Sequence, residues 1–108
     1  MQITAIKSGA ATVAAFDGRL DAVTAAAAEK TLLGMLHDGS VVADLERVGY
    51  MSSAGLRLLL KAAKLAKSNG VSFSVCASQP AVREVFEISG FDKVIPAFAT
   101  RAEAVAGV

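Results

Sequence analysis

The 108 residues are enough for one domain with its own apolar core, and 54% hydrophobic against 19% charged residues excludes a disordered chain. A net charge of +1 gives no electrostatic basis for binding nucleic acid or an anionic membrane, and five Phe, one Tyr and no Trp offer no base-stacking platform. Cys76 is the one cysteine, so no internal disulfide is possible.

In chain order, residues 2–7 alternate apolar and polar and predict a half-exposed strand. Gly9-Ala10 is a turn, and residues 11–16 are a second strand completing a hairpin. Residues 22–36 are rich in alanine and predict a helix, closed by Gly39 after His37 and Asp38. The run from Val41 to Asp44 suits a buried strand, and the two charges and glycine that follow, before Met51, read as a loop. Ser52 and Ser53 stand where a helix N-cap belongs. Beyond them Arg57, Lys61, Lys64 and Lys67 form one polar stripe on a helix otherwise built of Leu and Ala, ending at Asn69-Gly70.

The chain continues with a buried strand over residues 71–76, in which Cys76 reads as a packed thiol. Pro80 suits a first helical turn and Gly90 a helix end. Residues 94–98 predict a brief strand, and Pro96 inside it places that strand at a sheet edge. Thr100-Arg101-Ala102-Glu103 is a capping box opening a last short helix. Strands alternating with helices predict an α/β fold: a single domain over residues 1–108 with a mixed, mostly parallel sheet and helices packed against it.

A serine nucleophile needs a base held by a third group. His37, the one histidine, reads as a surface residue at a helix end, and neither loop serine sits in a G-x-S-x-G or S-x-x-K context. An enzyme is therefore not expected, and no cofactor motif is present. Asp17, Asp21 and Asp44 are candidates to gather near one another and hold a cation; the alternative is that Asp21 caps a helix and Asp44 a loop. The basic stripe is either a solvated face or the rim of a partner site beginning at the serine loop. The first ten residues lack the pattern of a signal peptide, and no apolar run approaches the ~18 residues of a membrane span. A cytoplasmic location without direct membrane insertion is expected.

A helix N-terminus favours an anion, because its first N–H groups are unpaired and carry about half a positive charge. A phosphate on Ser53 would lie beside those donors. The segment from Asp44 through Leu56 resembles the signature of the STAS domain of bacterial anti-sigma factor antagonists, which reads roughly D-L-x-x-x-x-[FY]-[MI]-D-S-[ST]-G-L. Matching residues are Asp44, Leu45, Tyr50, Met51, Ser53, Gly55 and Leu56. Ser52 stands where the phosphorylated form carries aspartate, and Ala54 where Ser or Thr is common; S-S-A-G-L is itself a frequent family variant. Gly18-Arg19-Leu20-Asp21 resembles the family's G-x-L-D, and Ser89-Gly90-Phe91-Asp92-Lys93-Val94 its C-terminal motif, so the similarity covers nearly the whole chain.

The resemblance implies a STAS fold with Ser53 as phosphoacceptor. It also implies a partner surface formed by Asp21, Asp44, Ser52, Ser53, Ala54, Gly55 and Arg57. Implied partners are an anti-sigma factor of the serine-kinase type and a PP2C-like phosphatase that reverses the modification. The other role known in the family is an unphosphorylated accessory subunit, for example on a lipid-transport ATPase complex.

Overall fold

The computed structural model describes residues 1–108. Five strands form one sheet in the order β1-β2-β3-β4-β5, the order of the chain itself. Strand β1 (Gln2–Ser8) pairs antiparallel with β2 (Ala11–Asp17) through the turn at Gly9. Strands β2, β3 (Ser40–Arg47), β4 (Phe73–Cys76) and β5 (Ala97–Phe98) are mutually parallel. The helices are α1 (Ala22–Asp38), α2 (Ser53–Asn69), α3 (Pro80–Ser89) and α4 (Arg101–Ala106), with one 3-10 turn over Phe91–Lys93. None of them is long and apolar enough to cross a membrane.

Each crossover between parallel strands steps one place in the same direction. Crossovers of one hand therefore put α1, α2 and α3 on one face of the sheet. The main core lies there: Ala14 and Phe16 of β2, Val41, Ala43 and Leu45 of β3, and Val75 of β4 meet Leu32 and Leu36 of α1, Leu59 of α2 and Phe86 of α3. A smaller core lies on the other face, where Ala104 of α4 covers Val13, Val42 and Cys76. The alternation of side chains along a strand makes this division.

Helix ends follow the local chemistry. Gly70 ends α2 in the left-handed region, at φ 69°, and its N–H reaches back to Ala66 and Lys67 carbonyls. Pro80 lies in the first turn of α3 and Gly90 ends it. Thr100 caps α4, accepting from the Glu103 N–H and donating to its carboxylate.

Three strand boundaries differ from the sequence expectation by two residues or more. β3 runs on through Glu46 and Arg47, because its register with β2 shifts by one residue, a bulge that carries the pairing to Asp17↔Arg47. β4 starts at Phe73 rather than Val71. β5 is only Ala97–Phe98. Toward β5, Val75 of β4 and Ala77, one residue past its end, donate their N–H groups to Pro96 O and Phe98 O. One step earlier the Phe73 carbonyl would need an N–H from Pro96, which has none, so the ladder stops.

Asp44 is the one charged residue in the interior, 4% exposed, and it lies on the α4 face. Its Oδ2 accepts from Arg101 Nε at 2.8 Å and Nη2 at 2.7 Å, and its Oδ1 accepts from the Glu46 N–H. This pair fastens a six-residue helix that is too short to hold itself. Beside it, burial pushes the Cys76 thiol up to about 11, with the Asp44 charge adding to the effect and Arg101 opposing it. The thiol is neutral and packed, as its place in an apolar strand implied.

Arg101→Ala leaves the Asp44 carboxylate in the core without its cation. The expected loss in unfolding free energy, read by urea titration, is roughly 1–3 kcal/mol, because Arg101 itself is partly solvated. The double variant Asp44→Ala/Arg101→Ala should cost less than the two single changes summed; strict additivity would count against a coupled pair.

Candidate functional site

The serine loop is held by a neighbour far away in sequence. Leu20 N–H donates to Tyr50 O at 3.0 Å, and Ser52 N–H donates to Leu20 O at 2.9 Å. Together they form a one-residue parallel bridge between Leu20 and Met51. Both side chains are buried in the main core. The connection from β2 to α1 and the loop from β3 to α2 are thereby one unit at the carboxyl end of the sheet, where open α/β folds place their function.

Gly55 makes this contact possible. A Cβ at that position would stand 2.9 Å from Leu20 Cγ, Leu20 O and Met51 Cγ. Expected from the sequence as part of the partner surface, Gly55 is instead buried and faces inward. It shapes the loop by letting the helix approach the Leu20 backbone.

The two serines are not equivalent. Ser52 is the N-cap, half-buried, with extended backbone; its Oγ accepts from the Gly55 N–H at 3.4 Å and its carbonyl accepts from the Leu56 N–H. Ser53 is the first helical residue and is exposed, and its hydroxyl makes no hydrogen bond to protein. No side chain caps the Ser53 or Ala54 N–H, so the open donors of the helix end lie beside the Ser53 hydroxyl.

Across the bridge stands the connection into α1. Asp21 caps that helix: its Oδ1 accepts from the Val23 N–H at 3.1 Å and the Thr24 N–H at 3.0 Å, while Thr24 Oγ1 accepts from the Asp21 N–H. The Thr24 N–H is the largest influence holding the Asp21 carboxyl below its ordinary range; partial burial opposes it, and Thr24 Oγ1, the Val23 N–H and Arg19 reinforce it. Arg19 Nε lies 4.0 Å from Asp21 Oδ2, and its guanidinium stacks 4.3 Å over the Tyr50 ring. Arg19, Leu20 and Tyr50 were not named from the sequence as site residues. The signal for them was thin: a single leucine between two charges, in a segment without periodicity.

Ala54 and Arg57 line a shallow groove of about 200 Å³ between α1 and α2, walled by Ala22, Ala25 and Ala26. Lys61 closes it, paired with Glu29 at 3.2 Å. Asp44 does not join this assembly. Although β3 leads into the loop, its carboxylate turns to the opposite face and bonds Arg101 and Glu46. Asp17, Asp21 and Asp44 do not form a cation site either, since each pairs with a different arginine: Arg47, Arg19 and Arg101. His37 is exposed at the far end of α1, against Asn69.

Two outcomes follow from this geometry. Gly55→Ala forces a methyl against the Leu20 carbonyl and should destabilise the fold by about 1–3 kcal/mol of overpacking, offset by less than ~1 kcal/mol of helix propensity. Thermal unfolding measures it, and a neutral or stabilising change would contradict the close approach. For Asp21 the folded carboxyl titrates below the unfolded one, so its cap contributes fully above pH ~5 and is lost as pH falls through the folded value. The stability gap between wild type and Asp21→Ala should therefore shrink as pH is lowered from ~5 in parallel denaturation curves.

The sequence and fold relationships agree. The family model described as "STAS domain" matches residues 2–104. BtrV of Bordetella bronchiseptica, provisionally named an anti-sigma factor antagonist, is 37% identical over 98% of this chain and 93% of its own length. RsfB of Mycobacterium tuberculosis, an anti-sigma-F factor antagonist, is 30% identical over 98% of this chain and 88% of its own. The crystal structure of an anti-sigma factor antagonist from Mycobacterium paratuberculosis superposes with a TM-score of 0.90 at 28% identity, covering 99% of this chain and 92% of that one. With its five-stranded mixed sheet, four helices and bridged serine loop, this chain belongs to the STAS domain family.

Proposed function

We propose that this domain is an anti-sigma factor antagonist, a binding module rather than an enzyme, whose docking loop is switched off by phosphorylation of Ser53. The relatives named above support the general role. The observation that carries the switch is the division of labour between the serines: Ser52 is engaged in capping, whereas Ser53 is exposed and free beside open helix-end donors.

The physics is a change of charge on a fixed surface. The unmodified loop presents small neutral groups, Ser52, Ser53 and Ala54, which an anti-sigma factor can approach closely. Phosphate adds about −1.5 to −2 charge at that point. The uncapped N–H groups of Ser53 and Ala54 steady the dianion on its own helix. Arg57, four residues on and therefore on the same face, adds a cation. Neither contact requires the loop to rearrange. Burying the dianion against a partner without matching donors costs several kcal/mol, more than a hundredfold in affinity. The modifying enzyme in this reading is the anti-sigma factor acting as a serine kinase, and a PP2C-like phosphatase restores the binding form. Asp21 and Arg19 border the same surface from the α1 side, and the alanine-walled groove with Arg57 extends it. A sigma-factor circuit also sets the domain's working place in the cytoplasm.

The test is to incubate the domain with its cognate kinase and ATP and map the product by mass spectrometry. Phosphate is expected on Ser53; phosphate on Ser52 alone, or on neither serine, would overturn the proposal. In binding assays Ser53→Ala should keep anti-sigma factor affinity while resisting inactivation. Ser53→Asp should weaken binding roughly tenfold or more, an incomplete imitation of the dianion.

A further inference from the structure

The exposed stripe of α2 separates two grooves. Arg57 and Lys61 turn toward α1, where Lys61 meets Glu29. Lys64 and Lys67 instead border an open groove of about 460 Å³ on the other flank, lined by Leu60, Val71, Phe73, Val94 and Pro96. This gap exists because β5 starts late. Pro96 cannot extend the ladder, so the chain from Val94 to Pro96 runs beside β4 without covering it, and Val94 is left 57% exposed.

The lining contains no acidic residue, and neither Lys64 nor Lys67 has a carboxylate partner. The groove thus combines a continuous apolar floor with two uncompensated positive charges on one rim. It is open along its length, so it cannot enclose a small molecule as ligand pockets do. Two lysines beside an apolar floor are too few for a nucleic-acid backbone.

We infer that this groove is a second docking site, one that takes an acidic, apolar-faced segment of a protein partner. Apolar side chains of that segment cover Leu60 and Val94, and its carboxylates meet Lys64 and Lys67. At a rise of ~1.5 Å per residue, Lys64 and Lys67 lie about 16 and 21 Å along α2 from Ser53. The site is therefore separate from the phosphorylated loop, and the domain can hold one partner there while the other end is switched.

The probe is a labelled synthetic peptide of about 15 residues with leucine and phenylalanine on one helical face and glutamate on the other. A version with lysine for glutamate is the control. Fluorescence anisotropy should show the acidic peptide binding at least tenfold more tightly than the control, with affinity falling as salt is raised. Isotope-edited NMR should place the perturbed amides at Leu60, Val71 and Val94. Lys64→Glu/Lys67→Glu, whose folding the same spectra verify, should weaken the acidic peptide roughly tenfold. Equal binding of both peptides, no binding, or perturbation centred on Tyr50 to Ala54 would overturn the inference. So would co-sedimentation with phosphatidylserine vesicles that the double variant abolishes, which would make the face a membrane contact. None of these outcomes depends on whether Ser53 is phosphorylated.

Discussion

Two backbone hydrogen bonds through Leu20 set the position of the serine loop in this domain. They join a connection and a loop that belong to different crossovers. Leu20 and Met51 fill the core beneath the join, and the missing side chain of Gly55 leaves room for the Leu20 carbonyl. The serine loop is consequently placed by these two bonds and by the core packing beneath them. In the proposed reading, phosphate on Ser53 adds its charge to a surface anchored in this way.

The sheet is covered unequally. Three helices bury one face, while the other is closed by a helix of six residues and one ion pair. The Asp44–Arg101 pair illustrates how a buried charge is tolerated: its carboxylate accepts from both nitrogens of one guanidinium edge and from a backbone N–H. Its role is architectural, and it accounts for an aspartate within the buried stretch of β3 from Val41 to Leu45.

The helices and their ends were legible in the sequence because capping residues and glycines act locally: Ser52, Pro80, Gly70, Gly90 and Thr100 all stand where expected. The direction of Asp44 was not. A strand covered on both faces is apolar throughout, so the parity that tells one face from the other is erased. The overrun of β3 was hidden for the opposite reason. Glu46 and Arg47 pair as strand beyond the covered core, and their charges imitate a loop. The site was half legible. The serines were marked by the helix they introduce, but the Leu20 bridge and the stacking of Arg19 on Tyr50 join segments about thirty residues apart, and only the folded chain shows them.

Strand order equal to chain order bears on how the domain forms. Every strand pairs only with its neighbours in sequence, so no strand waits for a segment made much later. The sheet can grow from the hairpin outward, one crossover at a time, as the chain leaves the ribosome. The exception is the link between Asp44 and Arg101, which are 57 residues apart. Until the last helix arrives, Asp44, Val42 and Cys76 face water on an unfinished surface. The arrival of α4 is thus the step that seals the sheet, and a chain in which that helix does not dock would leave the apolar face open to aggregation.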